Sequence, residues 1–398
     1  MASAWDGRVS LDADVLILGG GCAGLSLGVR LAARAMPQGR ALILEQRESY
    51  TDDRTWCFWR GAAHPFQHLI TRSWHMMRVQ SRPAQVVVDC GMMPYQLLPA
   101  GAFYDCAKSR IAAARGTELM CGVTIRGAPV RIAGGWKLET AAGSVTARQI
   151  IDTRPPDVVN STDALLWQSF LGHEIECTSG VFDPSTVELM DFDASSDGGI
   201  AFTYLLPLSP TRALVEYTVF AQYPRSAASL DNAQRSALAA ACRGFPYVIL
   251  RQECGVLPMG LTGESTPGAS GYQRVGLMSG AGRASTGYAF QRIQRWAESA
   301  AASLHRRAFD VGHSPDPWHR RAMDRLFLQV LRSHPGRAPD LFLSMFRDTN
   351  ASRVIRFLSD RGTAIDCAAI IASLPVGLFM RQLVRTGSAG VPVMRAST

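Results

Sequence analysis

The stretch that most constrains the fold of this chain is 14–45, which has the pattern strand, glycine-rich loop, helix, strand. The run 15–18, VLIL, has the length and composition of a buried parallel strand. The segment 25–35 carries leucine and alanine at helical spacing, and the run 41–44, ALIL, is a second buried strand. Together these segments predict a βαβ unit.

The loop of this unit carries glycines at the spacing G-x-G-x-x-G. Gly19 permits the tight turn, Gly21 lets the backbone approach a pyrophosphate, and Gly24 allows the helix to pack closely on the strand. Glu45 ends the second strand, where an acid accepts hydrogen bonds from adenosine ribose hydroxyls. The unit predicts a dinucleotide site, against the alternative of a glycine-rich turn in an ordinary α/β fold. The predicted contacts are Gly19, Gly21, Cys22, Ala23, Gly24 and Glu45.

Two later segments are predicted to return to this nucleotide region. The strand 145–151 ends on an acid followed by two prolines, a pattern that often returns to the nucleotide sheet. A second Gly/Ser/Thr loop, 279–287, lies between the short strand 275–278 and the amphipathic helix 288–306. Its amides can meet a phosphate or a ring oxygen, or its glycines merely let the helix approach the sheet. The residues assigned here are Asp152, Gly280, Gly282, Thr286 and Gly287.

A loop after the second strand is dense in aromatic residues, with the sequence RTWCFW at 54–59. Large aromatic side chains in a loop need a cavity, a ligand or a partner to cover them. Trp56 and Phe58 are assigned to a substrate cavity and Arg54 to the cofactor site. The alternative is that the aromatic residues cap the edge of the sheet.

From 167 to 256 the pattern changes to alternation and hairpins, which predicts a separate antiparallel sheet. The clearest hairpin joins 200–206 to 212–220 through a turn with two prolines. Beyond residue 322 the chain is predicted to be helical in short pieces, broken at Pro335, Pro339 and Pro375.

The predicted fold is α/β, with a Rossmann-like nucleotide-binding domain, an inserted antiparallel-sheet substrate domain and a C-terminal helical region. The nucleotide domain is discontinuous and takes 11–73, 93–158 and 272–310. The substrate domain takes 74–92 and 159–271, and the helical, membrane-contacting region takes 311–398.

Charge and composition restrict the class of partner. The net charge is +8, and 11 arginines against 5 aspartates from Arg321 onward give that segment +6. A basic, apolar tail suits an anionic membrane surface, whereas the alternative is a solvated arginine-rich helical face. No compact basic and aromatic patch or nucleic-acid motif is present, so nucleic acid is not expected. The nine cysteines are scattered without a C-x-x-C pair, so neither a metal site nor a disulfide framework is expected.

The distribution of apolar and charged residues also predicts where the protein is located. No window of 18 residues is continuously apolar, and the N-terminal segment has several charges before the first apolar strand. We therefore expect a cytoplasmic protein that is peripheral on the inner face of the membrane.

Six stretches in order along the chain resemble the flavoprotein hydroxylases and, more closely, the bacterial lycopene cyclases. The glycine motif is generic to flavin folds, whereas the Leu-Pro-Leu-Ser-Pro hairpin with its acid is far more specific. The stretches are DADVLILGGGCAGLSLGVRLA, RTWCFW, IIDTRPP, WQSFLGHEIE, FTYLLPLSPTRALVEYT and VGLMSGAGRASTGY.

This resemblance implies an FAD site at the assigned cofactor residues, with the flavin reduced and NADPH as the expected electron source. It implies cyclisation of the ψ-ends of an acyclic carotenoid to β-ionone rings, as in lycopene to β-carotene, and peripheral membrane contact. Glu216 matches the family's first motif acid, the proton carrier, whereas Tyr217 replaces the second acid. The hairpin residues assigned to the substrate cavity are Phe202, Tyr204 and Thr218.

The chemistry of Glu216 also follows from its position. On a strand it shares a face with Leu214, Thr218 and Phe220, while Tyr217 points away. A carboxyl among apolar neighbours stays protonated near neutral pH and can protonate an alkene carbon, after which a neighbouring double bond attacks the cation. The alternative is a solvent-facing glutamate. Two other functions stay open: an FAD-dependent oxidoreductase or hydroxylase acting on a polyene or isoprenoid, and a non-catalytic carotenoid-binding protein.

Overall fold

The structure is a computed structural model. It describes residues 12–34, 39–61, 64–156, 158–192, 198–262, 270–306, 308 and 311–389. The strands are β1 (Ala13–Leu18), β2 (Ala41–Leu44), β3 (Thr55–Trp59), β4 (Arg72–Trp74), β5 (Met76–Ser81), β6 (Ala84–Asp89), β7 (Tyr95–Pro99), β8 (Thr117–Met120), β9 (Ile125–Ile132), β10 (Gly135–Thr140), β11 (Gly143–Asp152), β12 (Ala164–Cys177), β13 (Thr186–Phe192), β14 (Ile200–Pro207), β15 (Arg212–Ala221), β16 (Tyr247–Leu261) and β17 (Tyr272–Arg274). The helices are α1 (Cys22–Ala33), α2 (Ala100–Ala112), α3 (Ala227–Ala241), α4 (Phe290–His305), α5 (Trp318–Ser333), α6 (Ala338–Arg347), α7 (Ala351–Leu358), α8 (Ala364–Ser373) and α9 (Val376–Ala389).

The first sheet contains the predicted βαβ unit. Its strand order is β8-β2-β1-β11-β10-β9, with β17 also paired to β11. Strands β8, β2, β1 and β11 are parallel, and Leu18 at the end of β1 lies opposite Leu44 of β2 and Asp152 of β11. The glycine loop, Glu45 and Asp152 therefore meet at one edge, at the carboxyl ends of three adjacent strands. In parallel α/β sheets this edge is where ligands bind.

The side chains of β1 alternate between two cores, as a strand buried on both faces requires. Val15 and Ile17 pack with α1, α2 and α4, whereas Leu16 and Leu18 pack with residues of β10 and β11. Helix α4, which follows the second glycine loop, lies against α1, and Gln294 donates a hydrogen bond to Ser26 Oγ at 2.8 Å. The two glycine loops thus precede helices that pack on each other.

The second sheet has the order β16-β12-β15-β14-β13-β5-β6 and is antiparallel except for the β13–β5 pair. The predicted hairpin is β14 and β15, closed by a hydrogen bond from Leu208 N to Arg212 O of 2.7 Å. Helix α3 covers one face: Tyr217 packs with Leu230, and its amide donates to Gln234 Oε1 at 2.8 Å. The opposite face of this sheet, which carries Glu216, forms one wall of a cavity.

A small third sheet, β3-β7-β4, corrects one expectation. The aromatic segment 54–59 was expected to be a loop, but 55–59 is a strand paired antiparallel with β7. Aromatic side chains favour extended backbone when a partner strand covers them. The sequence of 54–59 does not reveal that partner, because β7 lies some forty residues further along the chain.

The C-terminal helices pack onto the second sheet. Side chains of α5, α6 and α7 share one core with β5, β12, β13 and β14. Pro339 was expected to break a helix, but it lies in the first turn of α6. A proline in the first turn costs no backbone hydrogen bond, so it is compatible with the start of a helix. Within the described residues no single helix meets the length and hydropathy expected of a membrane span, although the bent pair 364–373 and 376–385 meets them together.

Candidate active site

The glycine loop has the geometry that its spacing predicts. Gly19 has a φ of +95°, which L side chains rarely adopt. A Cβ on Gly24 would collide with the carbonyl oxygen of Gly19, so the helix can approach the strand this closely only because residue 24 is glycine. A Cβ on Gly21 would meet nothing within 4 Å. Gly21 therefore opens onto free space beside the first turn of α1, where a phosphate can approach backbone amides.

Glu45 lies next to this loop and is held by it. Its side chain is buried, and Gly20 N donates to its Oε2 at 2.6 Å while Arg47 N donates to its Oε1 at 2.8 Å. Burial acts to raise the pKa of Glu45. The hydrogen bonds from Arg47 and the positive charge of Arg47 outweigh burial and hold that pKa below its ordinary value. An ionised acceptor therefore stands at the end of β2. Arg47, which the sequence analysis missed, fixes it in place.

Asp152 lies at the same edge but is already paired. Arg154 donates to its two oxygens at 2.9 and 2.8 Å, and Tyr272 Oη donates at 2.9 Å. The Cγ of Arg154 lies 3.3 Å from where a Cβ of Gly19 would be. Asp152 therefore orients Arg154 beside the glycine loop.

The second glycine loop is fixed by a buried ion pair. Gly280 and Gly287 have φ of +91° and +71°. Between them Arg283, only 1% exposed, donates from Nε and Nη2 to Asp324 of α5 at 3.1 Å each. Ser285 Oγ donates to the same carboxylate at 2.9 Å. The loop is thereby clamped to the C-terminal helices, a link that the sequence did not reveal.

The residues of this loop divide between two sides. Thr286 and Gly287 border the cavity that carries Glu216, called the main cavity below, whereas Gly280 borders an adjoining and larger polar cleft beside α4. Gly282 lies behind Gly287, with its Cβ position 3.6 Å from the Gly287 carbonyl oxygen. Arg54, half exposed and 3.7 Å from Asp53, borders the main cavity from the start of β3.

The main cavity has a volume of about 290 Å³. Its walls are the open face of the second sheet, strand β3, the second glycine loop and helices α6 and α7. Most of the lining is apolar or aromatic. Side chains from the C-terminal helices that close it are Phe342, Met345, Phe346 and Leu358.

Glu216 is one of two carboxyl groups on the sheet wall of this cavity. It is 7% exposed, and Thr218 Oγ1 donates to its Oε1 at 2.7 Å. Burial, reinforced by the neighbouring Glu253, raises the pKa of Glu216 to about 8. At neutral pH Glu216 is therefore a protonated acid facing an apolar space.

The second carboxyl, Glu253 of β16, was missed in the sequence analysis. It is 5% exposed, and Thr55 Oγ1 and Arg251 Nη1 each donate to its Oε2 at 2.7 Å. Burial raises the pKa of Glu253, while Arg251 acts to lower it. The available signal was the alternation of Arg251, Glu253 and Leu257 on one strand face. That alternation does not predict which strand pairs with β16.

The predicted cavity residues take different places. Phe202 and Tyr204 line the cavity, but Thr218 is fully buried and acts on Glu216, outside the lining. Trp56 and Phe58 border the cavity, while their rings stack on Phe290 at centroid distances of 5.1 and 5.4 Å and belong to the nucleotide-domain core. Alternation along β3 sends its other side chains toward the second sheet.

Three tyrosine hydroxyls meet on the cavity wall. Tyr204 donates to Tyr95 at 2.9 Å, and the hydroxyls of Tyr95 and Tyr288 are 3.2 Å apart. Trp59 packs on both Tyr95 and Tyr288. Because Tyr204 lies in register beside Glu216 on the neighbouring strand, the cavity wall next to this acid is rich in aromatic faces, which attract a cation.

Comparison with solved structures shows a shared fold. A geranylgeranyl bacteriochlorophyll reductase-like protein from Thermoplasma acidophilum superposes with a TM-score of 0.61 at 12% identity, over 94% of this chain and 98% of that one. A flavin-dependent brominase superposes with a TM-score of 0.58 at 12% identity, over 95% and 99% of the two chains. The fold is therefore the flavoprotein hydroxylase type.

Sequence comparison is more specific. The chain is 28% identical to a lycopene beta-cyclase of Pseudescherichia vulneris, over 91% of this chain and 94% of that one. It is 26% identical to a lycopene beta-cyclase of Paracoccus sp. (strain N81106 / MBIC 01143), over 93% and 97%. The family model described as lycopene cyclase protein matches residues 14–383. The chain therefore belongs to the lycopene cyclase family.

Proposed function

We propose that this protein cyclises the ψ-ends of an acyclic carotenoid to β-ionone rings, converting lycopene to β-carotene, with reduced FAD bound. The observation that carries the proposal is Glu216, a buried carboxyl on the wall of an apolar, aromatic cavity. Burial raises its pKa to about 8, so the proton needed for the first step is in place at neutral pH. Family membership and the names of the related proteins support the same substrate.

The proposed reaction begins with proton transfer. Glu216 donates its proton to a carbon of the terminal double bond of the carotenoid, which leaves a tertiary carbocation. The neighbouring double bond attacks that cation and closes the ring, and loss of a ring proton completes the product. The apolar lining excludes water that would otherwise trap the cation, and the faces of Trp59, Tyr95 and Tyr204 stabilise the positive charge.

The residues at the edge of the first sheet fit FAD. The open space at Gly21 admits a pyrophosphate against the N-terminus of α1, and the ionised Glu45 is placed for ribose hydroxyls. Arg54, Thr286 and Gly287 connect this edge with the cavity. When bound and reduced, with NADPH as the proposed electron source, the flavin would supply negative charge beside the cavity.

The proposal is tested by product analysis. The full chain, produced in a bacterium that accumulates lycopene, should convert it to a cyclic carotene that chromatography separates from the acyclic substrate. Unchanged lycopene, with folded and flavin-containing protein present, would contradict cyclase activity. A product with added oxygen or altered hydrogen content would instead support an oxidoreductase.

The cofactor assignment gives a prediction at Gly21. Gly21→Leu should fold, because a Cβ there meets nothing within 4 Å, but it should purify without flavin because the side chain fills the space of the pyrophosphate. Gly336→Leu is the matched control, since a Cβ at Gly336 also meets nothing within 4 Å and its backbone has no positive φ. Flavin absorbance per folded protein is the measurement. Full flavin content in Gly21→Leu would contradict the assignment.

We also propose that helices α8 and α9 contact the inner face of the cytoplasmic membrane, which would give access to a substrate dissolved in lipid. Apolar side chains on these helices are well exposed, with Ile365 at 66% and Ile371 at 51%. Arg381 and Arg385 stand exposed beside them. An exposed apolar face flanked by arginines favours reversible, salt-sensitive attachment to anionic lipid.

Membrane contact is tested by sedimentation with anionic liposomes. The protein should bind at low salt and bind less at high salt, because salt screens the arginines. Ile371→Asp should weaken binding by roughly tenfold or more, since burying such a side chain is worth about 1.5–3 kcal/mol. Val130→Asp, at an exposed valine of β9, is the control and should bind normally. Absence of binding at either salt concentration would favour a solvated helical face.

A further inference from the structure

The strands of Glu216 and Glu253 are separated by β12, and a glycine on β12 lets the two side chains approach each other. Gly172 of β12 lies opposite Glu216 of β15 and also opposite Glu253 of β16. Residues in register on adjacent strands share a face of the sheet. A Cβ at Gly172 would lie 3.3 Å from Glu253 Cγ and 3.4 Å from Glu216 Cβ. The glycine thus leaves the space above β12 to the two carboxyl side chains.

The two carboxyl groups have different partners. Glu216 accepts a neutral hydrogen bond from Thr218, whereas Arg251 forms an ion pair with Glu253 at 2.7 Å. Arg251 is itself held by Glu174 at 2.5 Å and lies 3.7 Å from Asp52. Two nearby carboxyl groups do not both ionise easily. When the pair holds one proton, the arginine therefore keeps the negative charge on Glu253 and the proton on Glu216.

We propose that Glu253 is the base that removes the ring proton and then returns a proton to Glu216. The inference rests on the cyclisation proposed above. The O–H bond of Glu216 breaks as a C–H bond forms on the terminal double bond, and the neighbouring double bond closes the ring with a C–C bond. The Glu253 carboxylate takes a hydrogen from the carbon beside the ring cation, and the electrons of that C–H bond become the ring double bond.

Proton transfer from Glu253 to Glu216 then restores the starting state. One proton enters and one leaves in each turnover, so no oxidant or reductant is consumed.

The position of the base also determines which ring isomer forms. A tertiary ring cation can lose hydrogen from any of its neighbouring carbons, and the carbon that loses it fixes the position of the ring double bond. A single carboxylate on one wall of the cavity selects one of these hydrogens.

The test uses Glu253→Gln in the full chain with bound reduced flavin and lycopene in liposomes. Glutamine keeps the size of the side chain and an acceptor for Thr55 and Arg251, but it cannot take up the proton. Ring formation should fall by roughly 10²-fold or more, as for loss of a general base. The residual product should contain rings with the double bond displaced. Glu188→Gln, another arginine-paired glutamate of the same sheet outside the cavity, is the control and should leave rate and product unchanged.

The ring isomer distribution separates a base from a structural role, because a structural defect slows the reaction without moving the double bond. If Glu253→Gln gives only β-rings within about tenfold of the normal rate, the inference is wrong. If it forms no ring at all, Glu253→Asp decides: recovery of cyclisation supports the base, and an equally inactive aspartate variant overturns it. Failure of the unmodified protein to cyclise lycopene would refute the proposed function itself, a result distinct from each of these.

Discussion

Glu216→Gln should fold, keep its flavin and lose cyclisation by more than the roughly 10²–10⁴-fold typical of general acid catalysis. Glutamine preserves the shape of the side chain and can still accept from Thr218, but it has no proton to give. The loss should be this large because Glu216 is 7% exposed, which keeps water from supplying the proton instead. Conversion of lycopene by purified protein of measured flavin content is the assay.

A matched control distinguishes this loss from general damage to the sheet. Glu188→Gln makes the same chemical change on β13, at a glutamate that pairs with Arg78 outside the cavity, and should stay active. Near-normal cyclisation by Glu216→Gln would assign the acid elsewhere on the cavity wall, with Glu253 the next candidate.

The proposed acid also gives a pH dependence with a definite sign. Burial and the neighbouring Glu253 raise the pKa of Glu216 to about 8, so the proton is present below that pH and is lost as the pH rises through it. Arg251, Asp52 and Glu174 are the other charged groups near the pair. Cyclisation should therefore be retained at pH 7 and fall above about pH 8. Residual product formation by Glu216→Gln should show no such fall.

The features that the sequence predicted well are those set by short-range geometry. The βαβ unit follows from two apolar runs and one glycine spacing, and a Cβ at Gly24 does meet the carbonyl of Gly19. Alternation along β15 correctly places Glu216 and Tyr217 on opposite faces, because side-chain direction on a strand depends only on position. These patterns need no knowledge of the partner strand.

The features that were missed depend on strand pairing between distant segments. The second acid of the cavity is not the neighbour of Glu216 in sequence, Tyr217, but Glu253, which reaches the site through β12 and Gly172. The hydroxyl of Tyr95 meets those of Tyr204 and Tyr288 across 109 and 193 positions. Register between such segments is a property of the folded sheet, so no local pattern contains it.

The same limit applies to the side chains of β3. Trp56 and Phe58 were assigned to the cavity because they are large aromatics in an apparent loop, yet alternation on β3 turns their rings toward Phe290. Once the segment is known to be a strand, Thr55 becomes the residue that faces Glu253. The aromatic composition therefore predicted that Trp56 and Phe58 border the cavity, but it did not predict the contact of Thr55 with Glu253.

Cyclisation should require reduced flavin although the reaction has no net redox change. Lycopene and β-carotene have the same formula, so no electrons are consumed, yet the chain retains the glycine loop and Glu45 of a dinucleotide site. Reduced flavin is electron-rich, and negative charge fixed beside a largely apolar cavity lowers the energy of a developing carbocation. Enzyme reduced with dithionite under anaerobic conditions should turn over many lycopene molecules per flavin and leave the flavin reduced. Oxidised enzyme should be inactive until NADPH or dithionite reduces it. A flavin-dependent hydroxylase would instead need oxygen and oxidise one flavin per product, so stoichiometric flavin oxidation, or full activity with oxidised flavin, would contradict the proposed role of the cofactor.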